Sequence, residues 1–320
     1  MDMHQKLFAR LKISRRRFLA ALFLSTAVML AAPVTISAAD KGVTVAVTGD
    51  VFTPDVQVVS DAILANPAVS AVLLAGDTAN AKSTPIESYR KVYQGTFDRF
   101  ISKIYPCPGN HDKLSEPAFS GYNEFWGKAA RAPEMYYSFD LGGWHIVSLD
   151  SVTFVDGGAK ADAQLEWLKK DLAANPKAPT LVYWHYPFFS NAKHRGQPKM
   201  KPFWDVLYAH GPAIVINGHN HVYERFAPMD PDGKKVPETQ GIQEFVVCPG
   251  GAKPIDSESE EAKGPQSEKF QGGTQHVGFF TLFADGGFAY TIQSINGNGA
   301  TEVVDKGNGN LLGGTAPEAN

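Results

Sequence analysis

The chain has 320 residues, 43% hydrophobic and 20% charged, which is the balance of a folded globular protein and too apolar for a disordered one. Residues 1–39 carry six of the 30 basic side chains and one of the 33 acidic ones; without them 24 and 32 remain, a net charge of −8. A surface that acidic excludes electrostatic wrapping of DNA or RNA and points to a small substrate handled in a local site.

The first segment, "KISRRRFLAALFLSTAVMLAAPVTISAAD", joins a basic run, an apolar stretch at 18–32 and small residues before Asp40. That is the three-part layout of an export signal. The consecutive Arg15, Arg16 and Arg17 resemble the twin-arginine type, with cleavage after Ala38 or Ala39. On this reading residues 1–39 meet the twin-arginine export machinery and touch the membrane only transiently. The mature protein is then periplasmic or secreted. An uncleaved anchor is the alternative, since an apolar stretch near this length almost spans a bilayer.

From Gly42 onward, short apolar runs alternate with helical patterns. "VTVAVTGD" (43–50) reads as a buried strand and 55–65 as a helix; "AVLLAGD" (71–77) is followed by a helix at 86–100 and a third strand within "ISKIYPCPGNHD" (101–112). "YYSFDLGGWHIVSLD" (136–150) reads as an antiparallel pair. A helix at 162–174, the strand "PTLVYWH" (179–185), a helix at 202–209 and the strand "AIVINGH" (213–219) come next. Residues 252–277 form a polar loop, and 279–295 a second antiparallel pair around an Asp-Gly-Gly turn. The chain thus predicts one α/β domain over 40–297, with 298–320 as a flexible tail. Two cysteines, Cys107 and Cys248, each end an apolar run. A pair of buried thiols and a single disulfide are both open.

Each of the five strands 43–50, 71–77, 101–112, 179–185 and 213–219 runs out into residues that bind metal or phosphate: Asp50, Asp77, Asn110 with His111, His185, and His219 with His221. Alone, each would be a helix cap, a turn residue or a hydrogen-bonded histidine. Five in one chain, each directly after an apolar run, exceed what turn chemistry accounts for. Carboxyl ends of strands are where open α/β sheets bind ligands.

In order, the endings "TGD" (48–50), "AGD" (75–77), "GNHD" (109–112), "VYWH" (182–185) and "GHNH" (218–221) resemble the calcineurin-like metallophosphoesterases. "GHNHVYER" is most similar to their purple acid phosphatase branch, and to its exported bacterial members. The resemblance implies a four-layer α/β sandwich, two mixed β-sheets flanked by helices. It also implies two divalent or trivalent metal ions (Fe, Zn or Mn) and a small phosphate ester as substrate. Asp77 would bridge the metals; Asn110, His185 and His219 would complete one, Asp50 and His221 the other. Carboxylate, amide oxygen and imidazole are the donors such metals accept. Hydroxide formed from solvent between the metals would attack phosphorus in line. His111 would protonate the leaving group, oriented by Asp112, and Asn110, His111 and His194 would contact substrate. Glu224 and Arg225 read as a structural ion pair beneath.

The chain departs from the pattern twice. Phe52 stands where many members carry a histidine or small residue, and Asn80 where purple acid phosphatases place a ligating tyrosine. Phosphomonoester hydrolysis is the leading expectation. A phosphodiesterase or nucleotide hydrolase uses the same centre, and a metal- or phosphate-binding protein without turnover fits the two departures.

Overall fold

A computed structural model describes residues 42–52, 56–82, 85–256 and 265–318, all within one compact unit. The export-signal reading lies on residues outside these. Strand β1 (Val43–Thr48) leads through helix α1 (Val56–Leu64) to β2 (Val69–Ala75), then α2 (Pro85–Tyr93) and β3 (Ile104–Cys107). Helix α3 (Ser120–Trp126) precedes the expected hairpin, β4 (Tyr137–Leu141) and β5 (Trp144–Ser148). After α4 (Ser151–Asp156) and α5 (Ala159–Ala174) come β6 (Thr180–Trp184), α6 (Lys201–His210) and β7 (Ala213–Asn217). The rest is β: β8 (Tyr223–Arg225), β9 (Ile242–Val247), β10 (Lys269–Gln271), β11 (Gln275–Leu282), β12 (Gly287–Ile295) and β13 (Thr301–Asn310).

The strands make two mixed sheets, ordered β13-β12-β11-β1-β2-β3 and β10-β8-β9-β7-β6-β5-β4. Strand periodicity explains how they stack. Val45 and Val47 of β1 and Leu181, Tyr183, Ile214 and Ile216 of β6 and β7 face one core between the sheets. Their neighbours Ala46, Val72 and Leu74 pack against α1, α2 and α3, while Val182, Trp184 and Val215 pack against α5 and α6. The result is four layers, helix, sheet, sheet, helix. Each fully buried Leu, Ile or Phe contributes about 1.5–3 kcal/mol of apolar transfer to this stack.

Two expectations change, and one open alternative is decided. The segment 298–320 is not a tail throughout, because β13 pairs antiparallel with β12 from Thr301 to Asn310. Its sequence, "TEVVDKGNGN", lacks apolar alternation because it is an edge strand with most side chains in solvent. The polar stretch 252–277 contributes β10 and the first residues of β11. Cys107 and Cys248 are both buried free thiols. Among the described residues, no helix is long and apolar enough to cross a membrane.

β1, β2 and β3 are parallel in one sheet, and β5, β6, β7 and β9 in the other. At their shared carboxyl edge the sheets pinch together. The Gly49 N–H donates to the Val247 carbonyl across the gap at 3.1 Å. A Cβ on Gly218 would stand 2.5 Å from the Ala75 carbonyl, so only glycine permits that approach.

Candidate metal centre

The loops leaving this edge converge on one point. One ligand atom each from Asp50, Asp77 and His185, all buried, lie within 4.8 Å of one another. His185 Nε2 is 3.4 Å from Asp77 Oδ2 and 3.0 Å from Asn110 Oδ1. His221 Nε2 is 3.2 Å from Asp50 Oδ1. The ring of His219 lies 5.0 Å from that of His185, and its backbone N–H donates to Asp50 Oδ2 at 2.7 Å. All six expected ligands are therefore brought together.

Backbone conformation helps to aim them. Asp50, Asp77, His219 and His221 have φ of 59°, 50°, 72° and 54°. Left-handed φ is costly for non-glycine residues, and four such residues at one site are strain that the surrounding fold holds in place. Gly76, at φ 81°, leaves room for His185: a Cβ there would stand 2.5 Å from the imidazole Nδ1. A Cβ on Gly109 would collide with the Asp77 carboxylate.

The tautomers follow from the partners. His185 Nδ1 faces the Ala75 carbonyl at 3.0 Å and His221 Nδ1 faces the Lys253 carbonyl at 2.8 Å. A carbonyl only accepts, so both Nδ1 atoms carry hydrogen. Both Nε2 atoms then turn toward carboxylate oxygens, an arrangement that requires positive charge between them. Burial opposes charge on His185, but Asp77 outweighs it and lifts the imidazole to about 9. Burial opposes charge on His221 too, and its bond to Asp50 raises it. Burial would raise Asp50, and His221 reverses this to hold the carboxyl below its usual range. Burial, then the charge of His185, pushes His219 well down. Asp50 Oδ1 is buried, and among the described residues only His221 Nε2 approaches it, at 3.2 Å and outside good hydrogen-bond geometry. Carboxylate, amide oxygen and imidazole are gathered here, and a cation that displaced the Nε2 protons would supply the positive charge the carboxylates require, so the set fits divalent or trivalent cations.

Asp112 corrects the expectation made for it. Among the described residues its carboxylate makes no hydrogen bond to the His111 ring. Its carboxylate accepts from Thr78 Oγ1 at 2.8 Å, the Ala79 N–H at 3.1 Å and Tyr89 OH at 2.6 Å, and from the Thr78 and Gly109 N–H groups at 3.0 and 2.8 Å. It ties the loop after β3 to the loop after β2. Burial, then the charge of Asp77, raises it to about 6. His111 is held otherwise: its N–H donates to Asp77 Oδ1 at 2.7 Å and its ring stacks on Phe52. Its Nε2 stands 3.9 Å from Asp77 Oδ2.

Asn80 is exposed. His194 is at the site, its ring 5.2 Å from His219 and 6.0 Å from His221. Burial first, then His221, lowers its pKa. Glu224 and Arg225 do not pair with each other. Arg225 meets Asp305 and Glu268, at 2.8 and 2.6 Å, while Glu224 turns to the loop after β6. The carbonyls of Ala75 and Lys253 set two tautomers, and no sequence signal marks a backbone oxygen for such a task.

This layered fold, with its ligand-bearing loops at a shared strand edge, is that of a metallophosphoesterase. The calcineurin-like phosphoesterase profile matches residues 43–223, more than half of the chain, and the chain belongs to that family. Its relatives place it on the purple acid phosphatase-like side. Purple acid phosphatase 15 of Arabidopsis thaliana is 35% identical over 161 residues, covering 44% of this chain and 30% of its own. Acid phosphatase type 7 of Homo sapiens is 28% identical over 162 residues, covering 41% and 36%. The matches thus span well under two thirds of these relatives. Among solved structures, the purple acid phosphatase PPD1 of yellow lupin (Lupinus luteus) has a TM-score of 0.62 at 16% identity, covering 83% of this chain and 53% of its own. GAP50 of Plasmodium reaches 0.65 at 13% identity, covering 84% and 88%. At such identities these two likenesses speak for the fold alone.

Proposed function

We propose that the protein hydrolyses phosphate monoesters at a two-metal centre. Asp77 would be shared, Asn110, His185 and His219 would complete one site, and Asp50 and His221 would hold the other. The observation that carries this reading is the facing of imidazole Nε2 atoms and carboxylate oxygens where buried Asp50, Asp77 and His185 bring their ligand atoms within 4.8 Å of one another. When bound, the cations would supply a nucleophile from water and neutralise charge on the phosphoryl oxygens.

The chain's own residues do the rest. Asp50 and Asp77 fix the cation positions through loops that Asp112 and the glycines hold. His111, side chain 31% exposed, has its Nε2 near Asp77 and open to substrate, and donates the proton the leaving alkoxide needs. His194 offers an N–H to a terminal phosphoryl oxygen, which favours monoesters with their extra unesterified oxygen. With Phe52 and Asn80 at the usual ligand positions, the Asp50 site has fewer protein donors and is the more exchangeable of the two. We assign export to the twin-arginine route and place the mature protein in the periplasm or outside the cell. A reporter fusion that still crosses after Arg15, Arg16 and Arg17 become lysine would contradict the export assignment.

The test is metal analysis of purified protein beside phosphate release from mono- and diester chromogens. The expected result is bound metal, faster monoester turnover, and loss of both metal and activity in Asp77→Asn. Metal uptake with no phosphate release would favour a binding protein. Faster diester cleavage would favour a phosphodiesterase.

A further inference from the structure

Glu224 and Glu244 lie on β8 and β9, and both are fully buried. Neither belongs to the ligand set, and a buried carboxylate is costly unless its acceptors are filled. Theirs are filled by one short segment. The Phe188 and Phe189 N–H groups donate to Glu244 Oε1 and Oε2 at 2.8 and 3.0 Å. Ser190 Oγ donates to Glu224 Oε2 at 2.6 Å, and the Asn191 N–H and Nδ2 donate to Glu224 Oε1 at 2.9 and 3.0 Å. Four consecutive residues, none of them in a strand, are thus tied down by two side chains.

That stretch starts three residues after His185 and ends three before His194. It is closed farther along by the Gln197 N–H donating to the Pro187 carbonyl at 2.8 Å. Asn220 Nδ2, between the two histidines of "GHNH", donates to the Arg195 carbonyl at 3.2 Å. Core packing alone would be served by apolar residues at 224 and 244. What the carboxylates add is a set of acceptors at fixed height above the sheet, matching the N–H groups of a loop that has to stand over the site.

We infer that Glu224 and Glu244 form a carboxylate clamp that positions the His194 loop over the metal centre. They are positioning residues, acting through residues 188–191 and not on substrate. The kinetic consequence rests on the phosphomonoester reading above; the structural one does not.

Two measurements on the full-length, metal-loaded protein test the clamp. The first is amide hydrogen exchange in wild type, Glu224→Gln and Glu244→Gln. Each substitution turns one acceptor into a donor facing an N–H or O–H group. Exchange at Phe188, Phe189 and Asn191 should quicken about tenfold or more, while the amides within β6 and β7 change little. The second is turnover of p-nitrophenyl phosphate. Glu224→Gln should raise KM several-fold more than it lowers kcat, and Glu224→Gln combined with His194→Ala should be no worse than His194→Ala alone. Unchanged exchange at 188–191, or additive losses in the double variant, would overturn the clamp. If a glutamine variant fails to fold, Ser190→Ala removes one loop-side donor and leaves the strands intact. Faster Asn191 exchange in that variant supports the clamp, and unchanged exchange refutes it. A wild-type protein that turns over no phosphate ester would defeat the functional proposal while leaving the exchange result to decide the clamp.

Discussion

The ring of Phe52 lies 4.6 Å from that of His111, inclined by 26° in a stacked pair. It also reaches toward His221, at 6.1 Å. Among the described residues His111 Nδ1 is buried without a hydrogen-bond partner, so the stack holds the ring while the backbone N–H, bonded to Asp77, holds the residue. A residue that looks in sequence like a missing ligand is, in space, a support for the proposed proton donor.

Removing that support should slow the chemistry and spare the metals. An aromatic pair of this kind contributes about 0.5–1.5 kcal/mol, so Phe52→Ala should lower kcat about fivefold. Metal content should stay at the wild-type level. Phe52→His should do the opposite to the metals, adding a donor beside Asp50 and slowing metal loss to a chelator. Equal chelation rates in the two variants would refute the placement of Phe52.

Asp112 should behave as a structural residue. Asp112→Ala strands five donors in a buried cluster and should cost about 3 kcal/mol or more in urea unfolding. An Asp112→Ala protein of wild-type stability but reduced turnover would restore it to the catalytic role that the sequence first suggested.

Gly109 permits the loop after β3 to lie against Asp77. Gly109→Ala should displace the Asp77 carboxylate and lower metal content to below half of wild type. Metal analysis after dialysis checks this. Full retention would mean that the cradle is looser than the geometry shows.

His145 gives a pH signature away from the site. It lies between Asp140 and Asp171, with Nδ1 and Nε2 at 2.9 and 2.7 Å from their carboxylates. Burial lowers its pKa, but the bonds to Asp171 and Asp140 outweigh this and raise it above the ordinary 6.5. The folded state therefore binds the proton more tightly than the unfolded state. Its contribution is fully present below pH 6.5 and is lost as pH rises through the raised value. His145→Asn should lower Tm most near pH 5.5, with the gap to wild type closing toward pH 9. A gap that widened with pH would contradict the assignment.

The ligand edge was legible because five strands end in donors and the chain order of those endings is itself informative. The two hairpins were legible from alternation and turn residues. What escaped detection depends on contacts between distant residues. Asp112 sits next to His111 in sequence, yet its partners lie 23 to 34 residues upstream apart from the nearby Gly109. Glu224 precedes Arg225, and adjacency suggested a pair that a strand forbids, since neighbouring side chains point to opposite faces. β13 carried no apolar pattern because only its last residues are buried. The left-handed φ of Asp50, Asp77, His219 and His221 also left no trace, since Asp and His are not residues that mark such a conformation as glycine does.

The most direct measurement is anomalous scattering from crystals of the metal-loaded protein. Two peaks about 3.5–4 Å apart are expected, one beside Asp50 and His221, one beside Asn110, His185 and His219, with Asp77 between them. A single peak, or two that do not share Asp77, would contradict the two-metal centre on which the account depends.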